Sequence, residues 1–189
     1  MAGAYELVPT VHSDERGQFH EWFRADVLRE LTGRSFSPHA DAIAQGNASV
    51  SHAGTLRGIH FAQVPPGQAK YVTCFTGAVL DVVVDLRTGS PTFGQWDSVV
   101  LDDVERRCVW IPEGLGHAFL ALDDNSLVSY LCSTGYSPGR EHAITPFDTT
   151  IGVEWPTHDR HGTPLSYRLS DRDRAAQTLT EARAAGILA

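Results

Sequence analysis

The sequence predicts a mainly β protein, a barrel or sandwich formed by one domain over residues 1–189. Short runs rich in apolar and β-branched residues follow one another through the middle of the chain, and turn-forming Gly, Pro, Asp or Asn residues separate them. Many short strands with regular turns are typical of closed or two-sheet β architectures. The predicted strands are residues 71–75, 79–86, 98–101, 108–111, 118–122 and 127–132.

Helical patterning is confined to the flanks of this β-rich region. One predicted helix covers residues 25–32 before Gly33, and the other covers residues 171–185 before Gly186. A glycine directly after the last turn is a common helix stop. We therefore expect only short flanking helices.

The run 79–86 indicates how one strand is placed. Side chains of alternate residues in a strand point to opposite faces, and one alternate set of this run is wholly apolar, while Asp81 and Asp85 lie on the other. We expect the apolar face in the core and the other face along a polar cavity. Two aspartates four residues apart can also bind backbone or solvent, so we assign neither a catalytic role.

Composition and charge exclude several classes of protein. With 42% hydrophobic and 20% charged residues the chain can supply a core, and its net charge of −8, without a Lys/Arg run, argues against nucleic-acid binding. The first residues lack a signal peptide's basic and apolar regions, and no stretch is long enough to cross a bilayer. We expect a cytoplasmic protein that binds no membrane. An anionic ligand needs a few well-placed cations.

Three cysteines, Cys74, Cys108 and Cys132, each lie among apolar residues. Their odd number and the absence of CxxC spacing argue against a disulfide framework and against a zinc site. We predict three reduced cysteines in the core.

Two segments carry the candidate chemistry. Residues 54–61 contain His60, and residues 112–119 contain His117 in a Pro-x-Gly-x-x-His pattern that matches the second cupin motif. A metal-binding cupin usually has a His-x-His pair and a glutamate in its first motif, where this chain has only His60. We therefore expect neither metal nor cofactor. His60 becomes the leading candidate for a general base.

The chain resembles the dTDP-4-dehydrorhamnose 3,5-epimerase family from Asp14 to the C-terminal helix. The resemblance implies a cupin-type jelly-roll β-barrel with short flanking helices. It also implies removal and return of protons at C3 and C5 of the substrate dTDP-4-keto-6-deoxyglucose. The supporting strings, in order, are residues 14–17, 56–61, 68–70, 81–85, 90–94, 110–114, 136–138 and 154–156.

The same resemblance implies roles for individual residues. His60 resembles the general base, Asp173 its carboxylate partner and Tyr130 the acid on the opposite sugar face, with Lys70 and His117 around the keto oxygen. The resemblance also implies a homodimer in which N-terminal strands, carrying Arg16 and Glu21, complete the neighbouring pocket. The implied substrate-binding residues are Arg16, Glu21, Gln45, Asn47, Arg57, Lys70, His117, Glu141 and Arg172.

These roles make chemical sense together. A proton next to a ketone is too weakly acidic for an imidazole unless the developing enolate is stabilised, and the compact cation of Lys70 suits that purpose. Inversion also needs proton return from the opposite face, which a second group such as Tyr130 supplies.

Several of these residues have structural alternatives. The string Ser170 to Asp173 also reads as a capping box, and Tyr130 can pack in the core. The extra residues 157–164 leave Asp171 as an alternative partner of His60. Strict alternation places Arg57 and His60 on opposite faces unless the strand bends at Gly58 or partners share a site.

Three departures from the family pattern leave open whether the enzyme epimerises one carbon or both. Gly46 stands where an acidic residue is common, Gly135 where an aromatic is frequent, and Arg172 where lysine is frequent. Epimerisation at C3 or C5 alone therefore stays an alternative. Further alternatives are a metal-dependent cupin that uses His60 and His117 as ligands, and a catalytically silent sugar-nucleotide binding protein.

Overall fold

The computed structural model describes residues 1, 3–36 and 43–189, and within them two antiparallel five-stranded sheets enclose a common interior as a jelly-roll barrel. The first sheet has the order β1-β9-β6-β11-β4 and the second β12-β5-β10-β7-β8; β2 and β3 form a separate hairpin. The strands are β1 (Tyr5–Leu7), β2 (Val11–Asp14), β3 (Gly17–His20), β4 (Gln45–Ser51), β5 (Leu56–Ala62), β6 (Lys70–Thr76), β7 (Ala78–Asp85), β8 (Trp96–Asp102), β9 (Cys108–Ile111), β10 (Leu115–Ala121), β11 (Ser126–Cys132) and β12 (Glu141–Ala143). The mainly β prediction is confirmed, and all six predicted strands are present: the strand 108–111 has the predicted ends, and the other five have shifted ends.

The interior of the barrel is apolar at one end and polar at the other. Val72, Val83 and Val128, from both sheets, pack together in the apolar part. The apolar face of β7 is buried as predicted, on the outside of the barrel under Ile151 and Leu179. Its other face points into the barrel and is also buried, because Val79 and Val83 flank Asp81 there.

The two aspartates of β7 serve different partners. Asp85 is fully buried and accepts hydrogen bonds from Arg87, Ser90 and Thr92, so it closes the turn after β7. Burial alone raises the pKa of Asp85, but these hydrogen bonds lower it well below its usual range. Asp81 instead contacts His117, a pairing that the sequence pattern did not indicate.

The flanking helices are partly as predicted. Helix α1 (Ala25–Thr32) ends at Gly33, which has φ 66°. The single helix predicted over 171–185 is wrong, because α2 (Asp171–Arg174) and α3 (Leu179–Ala184) are separate. Thr178 starts α3 with its own capping box, which includes Glu181, and the intervening segment pairs with Ile144.

All three cysteines are free and buried, as predicted. Burial raises the pKa of Cys74 to about 12 and that of Cys132 to about 11. Thiols held in this state are poor nucleophiles and metal ligands. The cysteines therefore pack as small apolar side chains.

Strand β5 has an irregularity that decides which side chains reach the interior. Arg57 pairs with Phe119 and His60 pairs with His117, so three steps along β5 oppose two along β10. The shift occurs around Gly58, which has φ 112°. Arg57 and His60 therefore lie on the same side of the sheet, and the strand departs from regular alternation at Gly58.

Replacement of Gly58 by alanine is expected to destabilise the protein by about 3 kcal/mol or more. The new Cβ would lie 2.5 Å from the His117 carbonyl oxygen and 2.7 Å from the Ala118 Cβ, so β10 must shift. Gly162→Ala is the matched control, because Gly162 has φ 84° and nothing within 4 Å of its Cβ position. Urea unfolding of both variants separates the clash from the backbone penalty; equal losses would contradict the prediction.

Candidate active site

A cleft of about 270 Å³ opens at the polar end of the barrel. Strands of both sheets and helix α2 supply its walls. Seven of the twelve site residues predicted from the sequence line it, and Gln68 and Tyr136 join them. The lining residues are Gln45, Asn47, His60, Gln68, Lys70, Tyr130, Tyr136, Glu141 and Arg172.

His60 forms a close pair with Asp173. The His60 Nε2 lies 2.5 Å from the Asp173 Oδ1, and the side chains are 35% and 4% exposed. Ser170 Oγ accepts a hydrogen bond from the Asp173 amide, so Asp173 belongs to a helix cap and contacts His60 at the same time. Asp171, the alternative partner, is exposed on the same short helix.

The protonation of this pair follows from its contacts. Burial tends to raise the pKa of Asp173, but hydrogen bonds and charge interaction with His60, together with hydrogen bonds to Ser170 and the Gly58 amide, lower it overall. An ionised carboxylate only accepts hydrogen bonds, so the Nε2 of His60 that contacts Asp173 carries a proton and donates it in the hydrogen bond. His60 Nδ1 is then the nitrogen that can accept a proton from a ligand.

Lys70 is the only lysine in the sequence, and the fold buries it. Its side chain is on the same face of β6 as Val72 and Cys74, which are part of the barrel interior. Within the described part of the chain, its Nζ makes no hydrogen bond or ion pair. Burial lowers the pKa of Lys70, and the nearby Cys132, Glu141 and Asp81 partly oppose that shift. The chain therefore holds one poorly compensated cation at the cleft.

Tyr130 enters the cleft from the sheet opposite His60. Tyr130 is on β11 in the first sheet and His60 on β5 in the second, so they approach a ligand from different walls. Burial, with contributions from Cys132 and Glu141, raises the pKa of Tyr130, and Arg57 partly opposes the shift. The phenol is therefore protonated near neutral pH and can donate a proton.

A chain of hydrogen bonds fixes the rim of the cleft. The Tyr136 amide donates to Gln45 Oε1 at 2.8 Å, and Gln45 Nε2 donates to Asn47 Oδ1 at 2.8 Å. Gln68 Nε2 donates to the Thr134 carbonyl at 2.9 Å and holds the same loop. The ring of Tyr136 is 57% exposed at the rim. Gln68 and Tyr136 stand in the family-like strings 68–70 and 136–138, which was the available sequence signal for them.

The two glycines that depart from the family pattern, Gly46 and Gly135, have different surroundings. Gly46 lies between Gln45 and Asn47 on the outer face of β4, so a side chain there points away from the cleft. Gly135 lies at the rim, where the nearest neighbour of an added Cβ is Gln45 Oε1 at 4.0 Å. Of the two departures, Gly135 is therefore the one where a side chain would have open space beside the cleft residue Gln45.

The remaining predicted residues lie outside the lining of this cleft. His117 is buried behind it and bonds to Asp81. Arg57 is exposed, and its Nε donates to Ser51 Oγ at 3.3 Å. Arg16 and Glu21 are separate from the cleft of their own chain: Arg16 is in the β2–β3 hairpin bonded to Asp14, and Glu21 is beside Arg24.

Within the described residues, no three or more His, Cys, Asp or Glu side chains cluster in a way that could hold a metal ion. The two histidines that a metal-dependent cupin would use are each bonded to a different carboxylate, Asp173 or Asp81. Residues 1, 3–36 and 43–189 also contain no helix long and apolar enough to cross a membrane.

Fold and site together define a small jelly-roll protein of the cupin type with an acid–base cleft inside its barrel. The family model for dTDP-4-dehydrorhamnose 3,5-epimerase matches residues 1–181, and the chain belongs to this family. It is therefore an isomerase of the epimerase class, and the resemblance found in the sequence is confirmed.

Relatives within the family include 3,5-epimerases and a 3'-monoepimerase. The dTDP-4-dehydrorhamnose 3,5-epimerase of Mycolicibacterium smegmatis is 56% identical over all of this chain and 87% of its own length. An epimerase structure from Mycobacterium tuberculosis has a TM-score of 0.91 and 54% identity, covering 99% of this chain and 89% of that one. A 3'-monoepimerase from Streptomyces bikiniensis, in complex with dTDP-quinovose, has a TM-score of 0.89 and 48% identity, covering 98% and 88%.

Proposed function

We propose that this enzyme epimerises dTDP-4-keto-6-deoxyglucose at C3 and C5, giving dTDP-4-dehydro-L-rhamnose. The observation that carries the proposal is the cleft itself. A His60–Asp173 pair and the protonated Tyr130 enter it from opposite sheets, and the buried cation of Lys70 lies at the same place. This set supplies a base, an acid and a stabiliser for negative charge.

The first step is removal of the proton next to the ketone by His60 Nδ1. The electrons of the broken C–H bond move into an enolate, whose negative charge lies on the former ketone oxygen. Asp173 stabilises the imidazolium that forms on His60. Lys70 stabilises the enolate oxygen, and the low polarity around it strengthens that interaction.

The second step is proton return by Tyr130 to the opposite face of the same carbon. Its raised pKa keeps the phenol protonated until the enolate is present. Exchange with solvent then restores both groups for the second carbon. The scheme uses only side chains of the protein.

The rim residues support binding of the nucleotide. Arg172 lines the cleft, and Arg57 is close enough to Tyr130 for its charge to lower the pKa of that phenol. Both arginines are exposed, and guanidinium groups bind diphosphate oxygens well. They provide local positive charge on a chain of net charge −8. The exposed ring of Tyr136 offers an aromatic surface on which a base can stack.

We also propose a cytoplasmic homodimer in which the β2–β3 hairpin completes the neighbouring cleft. The hairpin forms a sheet of its own, and Phe19 on it is 65% exposed. Arg16 and Glu21, which the family resemblance assigns to substrate binding, lie outside the cleft of their own chain. A second copy of the chain accounts for both observations.

Mixed dimers of Arg16→Ala and His60→Ala test this arrangement. If Arg16 acts in the partner's cleft, each hybrid dimer keeps one intact site, and random reassortment restores about a quarter of wild-type activity. Activity is measured after subunit exchange in mild denaturant, with each variant carried through alone as control. If the mixture stays at the level of the parent variants, Arg16 acts in its own chain or not at all.

The reaction is tested by incubating the enzyme with dTDP-4-keto-6-deoxyglucose in deuterated water and following the C3 and C5 proton signals by NMR. Loss of both signals supports 3,5-epimerisation. Loss of one signal identifies a single-carbon epimerase, an alternative favoured by the 48% identical Streptomyces bikiniensis 3'-monoepimerase and by the open space at Gly135. Loss of neither contradicts the proposal.

A further inference from the structure

A second histidine–carboxylate pair lies deeper in the barrel than His60 and Asp173. The His117 Nε2 is 2.7 Å from the Asp81 Oδ2, and both side chains are buried. His117 is on β10 opposite His60 on β5, and Asp81 is on the neighbouring strand β7. His117 therefore lies beside the candidate base, on the same face of the sheet, and Asp81 is one strand further on.

The contact fixes the chemistry of the His117 ring. A carboxylate only accepts hydrogen bonds, so the Nε2 bonded to an ionised Asp81 must carry the proton. Nδ1 is then the nitrogen left for a ligand. For Nδ1 to donate a hydrogen bond to a ketone oxygen it must also be protonated, and the resulting imidazolium has its counter-charge in Asp81.

The other surroundings of Asp81 agree with a role in holding His117. Its Oδ1 is buried and has no hydrogen-bond partner within the described chain, so of these residues His117 alone bonds to the carboxylate. Asp81 also acts at a distance on Lys70, since its charge raises the pKa that burial lowers. A buried carboxylate this poorly satisfied costs stability, which is a common sign of a functional group.

We infer that Asp81 is a positioning residue that holds His117, through its Nε2, as a hydrogen-bond donor toward the ketone oxygen of the substrate. The inference rests on the proposed function and adds to it a residue to which the sequence pattern gave no catalytic role. Outer carboxylates that orient a functional histidine typically contribute about 10- to 100-fold. We expect a loss of that size when the charge of Asp81 is removed.

Asp81→Asn tests the inference, with Asp85→Asn as its matched control. Both aspartates are fully buried on β7, but Asp85 bonds to Arg87 and the turn after β7, whereas Asp81 bonds to His117. Asp81→Asn should lower kcat for proton exchange about 10- to 100-fold, with dTDP affinity unchanged. Asp85→Asn should lower the melting temperature and leave kcat unchanged. A loss below threefold for Asp81→Asn, or equal losses in both variants, overturns the inference.

Two further measurements separate positioning from a structural role. If Asp81 acts through His117, the double variant Asp81→Asn/His117→Asn should be no slower than His117→Asn alone, and multiplied losses overturn the inference. In the wild-type protein, ¹⁵N NMR of labelled histidine should show a protonated Nε2 on His117, and an unprotonated Nε2 overturns it. This second measurement needs neither substrate nor a folded variant, so failure of the proposed reaction and failure of the inference remain distinguishable.

Discussion

His60→Ala should lower the rate of proton exchange at both C3 and C5 by about a thousandfold or more. One base serves both carbons in the proposed scheme, and Asp173 cannot replace it, because the carboxylate is buried behind the ring. Binding of dTDP should change little, since the imidazole acts on the sugar. Deuterium exchange followed by NMR, with calorimetric titration of dTDP, measures the two effects separately.

His142→Ala is a suitable control for this experiment. His142 is on β12 directly opposite Phe61, the residue after His60, and its ring packs against Phe61 with centroids 5.5 Å apart. It is a neighbouring histidine outside the cleft lining. If His142→Ala reduces exchange as strongly as His60→Ala, or if only one carbon depends on His60, the single-base scheme is wrong.

Lys70→Met should have opposite effects on activity and stability. Methionine approximates the length and volume of lysine without its charge, so enolate stabilisation is lost and kcat should fall about 10²- to 10³-fold. The folded state no longer has to bury a poorly compensated ammonium group, and the free energy of unfolding should rise by about 1–3 kcal/mol. Exchange kinetics and urea unfolding of the same preparation measure both.

Arg57→Met supplies the comparison for that result. Arg57 is an exposed cation whose charge acts on the cleft residue Tyr130. Its loss should raise KM more than it lowers kcat, and stability should change little. Lower stability in Lys70→Met, or retention of full activity, would show that Lys70 is a packing residue. As the only lysine, it can also be followed by amine-specific labelling, which bound substrate should slow.

Local sequence patterns predicted six of the twelve strands in the described residues, β6–β11, and helix α1, because such patterns depend on neighbours a few residues apart. Alternation and turn residues located the six predicted strands, and Gly33 ended α1 where expected. The error at the C-terminus has the same origin. The capping box at Thr178 is a local signal for a new helix, and the helical periodicity of 171–185 obscured it.

The site was identified through its motif strings, and seven predicted residues do line one cleft. The family resemblance paired His60 with Asp173, 113 residues away, whereas no sequence signal paired His117 with Asp81, 36 residues away. Such pairs depend on strand order and register, which many distant contacts set together.

The sequence by itself determined a mainly β domain, a barrel motif with one histidine in place of a metal-ligand set, and the family. Tertiary structure alone decided that Arg57 and His60 share a face, that Asp173 caps a helix and contacts His60 at the same time, and that Asp81 bonds to His117. The physical reason is that burial and pairing of polar groups are settled where two sheets close on each other. The irregular backbone at Gly58 in β5 changes which face of the sheet the following side chains of that strand occupy.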